Sequence, residues 1–79
     1  KGGCEMFRLT ITSDCDSKLV EQIQKEVCYK PESESGIYEL YDQLYANRYC
    51  NSYSKSRIYY VAYTLAKHDI DFTIDEVDN

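Results

Sequence analysis

The sequence predicts an α+β fold, a two-layer α/β sandwich in which an antiparallel sheet carries two helices on one face. Three observations carry that expectation. The ends of the chain alternate strictly between apolar and polar residues, two apolar stripes at helical spacing lie between them, and four cysteines in 79 residues restrict how these segments fold back on one another.

From residue 5 to 12, Phe7, Leu9 and Ile11 alternate with Met6, Arg8, Thr10 and Thr12, the period of a half-buried strand. Between Asp16 and Cys28 the apolar residues Leu19, Val20, Ile23 and Val27 form a helical stripe, and Asp14, Asp16 and Ser17 supply oxygens to cap its start. The run 30–36, with its Pro, Gly, Ser and Glu, breaks regular structure. Later, Ile58, Val61, Ala62 and Leu65 recur at helical spacing behind Ser54 and Ser56, with Lys67 and His68 at the end where cations suit the helix dipole. Ile70, Phe72 and Ile74 then alternate with Asp69, Asp71, Thr73 and Asp75, a last strand with an acidic outer face. Nothing marks a second domain, and residues 1–79 are expected to form one unit.

Residues 37–53 read two ways. Ile37, Leu40, Tyr41, Leu44 and Tyr45 match a helical stripe, whereas the density of tyrosine and a turn at Ala46–Arg48 suit a β-hairpin. The cysteine spacing admits both, and the hairpin is favoured because a helix would leave only two strands and a poorer sheet. Cys4 and Cys15 flank the first strand, where eleven extended residues span roughly 35 Å, and Cys15 and Cys28 bracket a helix rising roughly 20 Å. A disulfide needs Cα atoms within about 7 Å, so both are excluded and Cys4–Cys28 with Cys15–Cys50 is the expected pairing. A strand starting at Tyr49 beside the first strand would bring Cys50 to Cys15, and a βαββαβ, ferredoxin-like order follows. Closing loops of 24 and 35 residues would contribute roughly 3–4 kcal/mol each.

Composition narrows the function classes. Fourteen acidic residues against nine basic ones give a net charge of −5 with no Lys/Arg run, so the basic footprint that nucleic acid requires is missing. The longest apolar-rich stretch, 58–66, is well short of the roughly 20 residues of a membrane span. Structural zinc sites pair their ligands as C-x₂₋₄-C, while these cysteines lie 11, 13 and 22 positions apart, so no metal and no cofactor is expected. His68 is the only histidine and reads as a helix-end cation. The carboxylates Glu32, Glu34, Glu39 and Asp42 read as a solvated face, and Arg8, Arg48 and Arg57 have no glycine-rich loop beside them to cradle phosphate. No catalytic residue is expected, and the chain reads as a non-enzyme. The outlier is tyrosine, nine in all and eight of them from Tyr38 onward. Tyrosine is enriched in binding hot spots, which makes Tyr38, Tyr41, Tyr45, Tyr49 and Tyr53 candidate partner-binding residues. They would project from the sheet face opposite the helices, unless half of the tyrosines line the core of a domain that has no Trp.

A cysteine just before the first strand (Cys4-Glu5-Met6-Phe7-Arg8-Leu9), another at the strand-to-helix junction (Ser13-Asp14-Cys15-Asp16) and two helices in a βαββαβ order form a pattern. It resembles the KP6-type fungal killer toxins and the related secreted effectors of plant-pathogenic fungi. The resemblance implies an extracellular, disulfide-stabilised domain that binds a protein or cell-surface target. A start at Lys1-Gly2-Gly3 without an initiator Met suits release from a precursor. The other expectation is an intracellular acidic inhibitor or adaptor of phage type with reduced cysteines.

Overall fold

The computed structural model describes residues 5–28 and 35–77. The elements run β1 (Met6–Ile11), α1 (Ser17–Val27), α2 (Ser35–Asn47), β2 (Tyr49–Ser52), α3 (Lys55–Lys67) and β3 (Phe72–Val77). The α+β class holds, with a three-stranded antiparallel sheet in the order β2-β1-β3. The central strand is β1. Its alternation sends Phe7, Leu9 and Ile11 into the core and leaves Met6, Arg8 and Thr10 half-buried on the opposite face. Because β2 and β3 both run antiparallel to β1, they are parallel to each other, and α3 carries the chain across from one sheet edge to the other.

The hairpin expected at 37–53 is not formed. Residues 37–47 belong to α2, so the element order is βααβαβ and three helices, not two, pack over the sheet. Ile37, Leu40, Tyr41 and Leu44 share one stripe and all four are buried, so the helical period outweighed the β propensity of the tyrosines. The turn proposed at Ala46–Arg48 marks the end of α2 instead, and the strand beginning at Tyr49 does lie antiparallel to β1.

The helices start and stop where local chemistry directs. The Asp16 carboxylate accepts the Lys18 N–H at the start of α1, and the Ser54 hydroxyl accepts the Arg57 N–H at the start of α3. At the other end of α3, the Ile70 N–H reaches the Leu65 carbonyl and the Asp69 N–H reaches Ala66, with Asp69 in the left-handed region at φ 59°. This is a Schellman stop, in which Ile70 packs back near Leu65, and both side chains are buried. It holds Ile70 in the core but out of the strand, so β3 begins two residues later than the alternation suggested. Asp69→Gly removes the Cβ strain at the expense of backbone entropy. The expected change in urea stability runs from zero to a gain of about 1 kcal/mol, and a loss would show that the Asp69 side chain supports the stop.

One apolar cluster joins the inner face of β1 to all three helices, through Val20 and Ile23 of α1, Ile37, Leu40, Tyr41 and Leu44 of α2, and Ile58, Val61, Ala62 and Leu65 of α3. Two polar devices tie the layers together. Gln24, buried between α1 and α2, donates from Nε2 to the Tyr38 carbonyl at 3.1 Å and to Asp42 Oδ1 at 2.9 Å. Arg48 donates from its guanidinium to the Cys15 carbonyl at 2.9 Å and the Ser13 carbonyl at 2.6 Å.

Candidate functional site

The five candidate tyrosines do not share a surface. Tyr41 is wholly buried in the core, which removes it from any binding role. Its hydroxyl bonds the Thr64 hydroxyl, and Thr64 Oγ1 in turn donates to the Val61 carbonyl at 2.8 Å. The Thr64 proton is thereby used, so Tyr41 is the donor of the pair. Burial pushes the Tyr41 phenol well above its ordinary range, and the hydrogen bond to Thr64 offsets only part of that shift.

Tyr38 and Tyr45 lie two turns apart on the exposed side of α2, and Tyr53 is exposed in the connection between β2 and α3. Only Tyr49 stands on the outer sheet face, half-buried, with the Arg8 guanidinium 4.4 Å from its ring centroid. Arg8 Nε also donates to Asn51 Oδ1 at 2.8 Å. This face therefore carries an Arg8–Asn51–Tyr49 group rather than an aromatic platform. The expectation that tyrosines gather there is corrected, because helix formation over 37–47 moved Tyr38 and Tyr45 to the other layer.

The densest exposed aromatics lie outside the candidate set. Tyr59, Tyr60 and Tyr63 of α3 are 52%, 42% and 62% exposed. Tyr59 and Tyr63 are one turn apart and so adjoin on the helix surface, and Lys67 Nζ stands 5.4 Å from the Tyr63 ring centroid. The signal was present in the sequence. Once Ile58, Val61, Ala62 and Leu65 define the buried stripe, positions 59, 60 and 63 must face out.

The cysteines are placed differently from the expected staples. Cys15 and Cys50 are free thiols, so the Cys15–Cys50 bridge is not formed. The sheet register explains why: Cys50 pairs with Leu9, inside β1, while Cys15 lies beyond the end of that strand. The Cys4–Cys28 pairing involves a residue outside the described ones. Burial pushes the Cys50 thiol up to about 12, against a partial lowering by a backbone hydrogen bond with Leu9. An unfolded Cys50 ionises near 9.0, so above that pH the unfolded chain releases a proton that the folded chain keeps. Stability must therefore fall as pH rises from about 9 towards 12. Urea unfolding at pH 8 and pH 10 should show this loss in the wild type and a smaller one in Cys50→Ala. Equal losses would remove Cys50 as the cause.

His68 caps α3, and its Nε2 stands 3.6 Å from Glu26 Oε1 at the end of α1. Of the carboxylates, Asp42 receives Gln24, Glu39 is exposed, and Glu32 and Glu34 lie outside the described residues. Among the described residues no group of three or more His, Cys, Asp or Glu side chains converges, and no helix is long and apolar enough to cross a membrane. Comparisons with protein-family models, with curated proteins and with solved structures return no match.

Proposed function

We propose that this domain is a non-enzymatic binding module that engages a protein or cell-surface target through the aromatic surface of α3. The observation that carries this reading is the set Tyr59, Tyr60 and Tyr63, three large amphipathic rings left 42–62% exposed on one helix. A tyrosine gives up little side-chain entropy for the area it contributes, and its hydroxyl keeps the free surface soluble. In the secreted form of this reading, which rests on the resemblance to KP6-type toxins and effectors, the target lies on a cell surface and a Cys4–Cys28 bridge stabilises the domain.

Labelled protein applied to intact yeast cells or plant protoplasts should then bind saturably. Tyr59→Ser/Tyr63→Ser should weaken that binding about tenfold or more while leaving thermal unfolding nearly unchanged. Equal binding by the variant would overturn the reading.

One observation favours the second reading, an intracellular acidic adaptor with reduced cysteines: Cys15 and Cys50 are free thiols, and Cys50 is buried, as unpaired cysteines in the cores of reduced-compartment proteins ordinarily are. Mass measurement of the native protein, prepared without reductant and after blocking of free thiols, separates the two. A bridge at Cys4–Cys28 supports secretion, and four blocked thiols support the adaptor.

A further inference from the structure

The two edges of this sheet are treated differently by the fold. On β2 the Asn51 N–H points away from β1 and is taken by the Gln43 Oε1 atom of α2 at 2.9 Å, so a helix side chain closes that short edge. Among the described residues the β3 edge has no such cover. Thr12 N–H donates to the Asp71 carbonyl, and the register pairs Thr10 with Thr73 and Arg8 with Asp75. By the alternation of antiparallel ladders, Thr73 and Asp75 therefore turn their main-chain groups towards β1, while Phe72, Ile74 and Glu76 turn theirs outward. Among the described residues these outward N–H and C=O groups have no hydrogen-bond partner.

Two further properties distinguish this edge. The inward-facing side chains of β3, Phe72 and Ile74, pack against the core yet stay half-exposed, whereas Phe7, Leu9 and Ile11 next to them on β1 are buried. The helical layer thus ends short of the sheet edge. Asp71, Asp75 and Glu76 also leave the edge acidic and exposed. Arg8 sits opposite Asp75, but its guanidinium is committed to Asn51 and Tyr49 on the other side, and no ion pair to Asp75 forms.

We propose that the β3 edge accepts an extended segment of a partner protein in which apolar and basic residues alternate, adding a fourth strand to the sheet. Its main chain pairs with Phe72, Ile74 and Glu76. Its apolar side chains cover the exposed flanks of Phe72 and Ile74, and its Lys or Arg residues meet Asp75 on the outer face. A second copy of this chain is the poorer occupant, since edge-to-edge pairing would set the same acids of both copies along one seam. The charges that discourage self-association are the ones that attract a basic strand. This surface is separate from the tyrosines of α3, and the inference does not depend on them.

The test uses a fluorescein-labelled peptide of about six residues alternating Val and Lys, with a Val/Glu peptide of equal length as the control. Anisotropy should show binding of the Val/Lys peptide only, weakening as salt rises. Amide exchange at Phe72, Ile74 and Glu76, fast in the free protein, should slow when the peptide is bound. Asp75→Lys, a substitution at an exposed site without partners among the described residues, should weaken binding about tenfold, and Tyr59→Ser/Tyr63→Ser should leave it unchanged. Unslowed exchange at those three amides with peptide bound overturns the proposal, as does equal affinity for the Val/Glu peptide. So does a peptide-free dimer that protects the same amides.

Discussion

Tyr41→Ala is expected to cost the domain about 3–5 kcal/mol of its stability, whereas Tyr41→Phe leaves it folded with a much smaller loss. The ring occupies the centre of the core, wholly removed from solvent, between α2 and α3. Truncating a buried aromatic to alanine costs about 3–5 kcal/mol, because the transfer free energy is lost and the surrounding side chains close the cavity only in part. A chain of this size has a total stability of roughly 4–12 kcal/mol, so one such cavity removes from about a quarter to the whole of it and the urea midpoint should fall steeply. Removing only the hydroxyl has a smaller effect. Thr64 Oγ1 still donates to Val61 and merely loses an incoming proton, at about 1 kcal/mol. Urea unfolding followed by far-UV circular dichroism checks both variants. A cooperative transition in Tyr41→Ala with a midpoint near the wild type would mean that the core closes around the cavity and that this residue is not its centre.

Tyr41 also shows where sequence reading succeeded and where it stopped. The stripe Ile37, Leu40, Tyr41, Leu44 was visible as a helix, and so were β1, α1 and α3, because amphipathic period is written locally. The hairpin gained preference through an assumed Cys15–Cys50 bridge together with the fuller sheet it would give, since a helix there satisfied the same bridge but left only two strands. That inference treated closeness along a strand end as contact, while the true register sets Cys50 against Leu9. Even so, the same reasoning placed a strand at Tyr49 beside β1, because Arg48 ends α2 and a short edge strand follows it. The tyrosine surface was half legible: the outward positions of α3 follow from its buried stripe, but Tyr38 and Tyr45 could not be placed until α2 was known to be a helix. Gln24 and Arg48 were not legible at all. Their partners are carbonyls and a carboxylate 14 to 35 residues away, and no local pattern records such a pairing.

Arg48 carries the second large expected effect. It adopts φ 68°, a conformation that strains any residue with a Cβ, and it does so at the junction where α2 hands the chain to β2. Its backbone is used in both directions, since the N–H closes α2 on Leu44 and the carbonyl accepts from Ile11 of β1. Its guanidinium then holds the Ser13 and Cys15 carbonyls, fixing the loop from β1 to α1 against the start of β2. Hydrogen bonds from a charged donor contribute roughly 1.5–3 kcal/mol when buried. Arg48 is only half-buried, so about 2–3 kcal/mol for the pair together is the reasonable scale. Arg48→Ala should therefore lose about that much, because alanine keeps the left-handed strain and loses both bonds. Arg48→Gly loses the same bonds but relieves the strain, and should be more stable than Arg48→Ala by about 1 kcal/mol. Arg48→Lys tests the fork itself: one ammonium cannot reproduce the two-carbonyl geometry of a guanidinium, so most of the loss should remain. The order wild type, then Gly, then Ala in urea midpoints is the expected result. If Gly falls below Ala, relief of the strain at φ 68° does not outweigh the freedom glycine gives the unfolded chain.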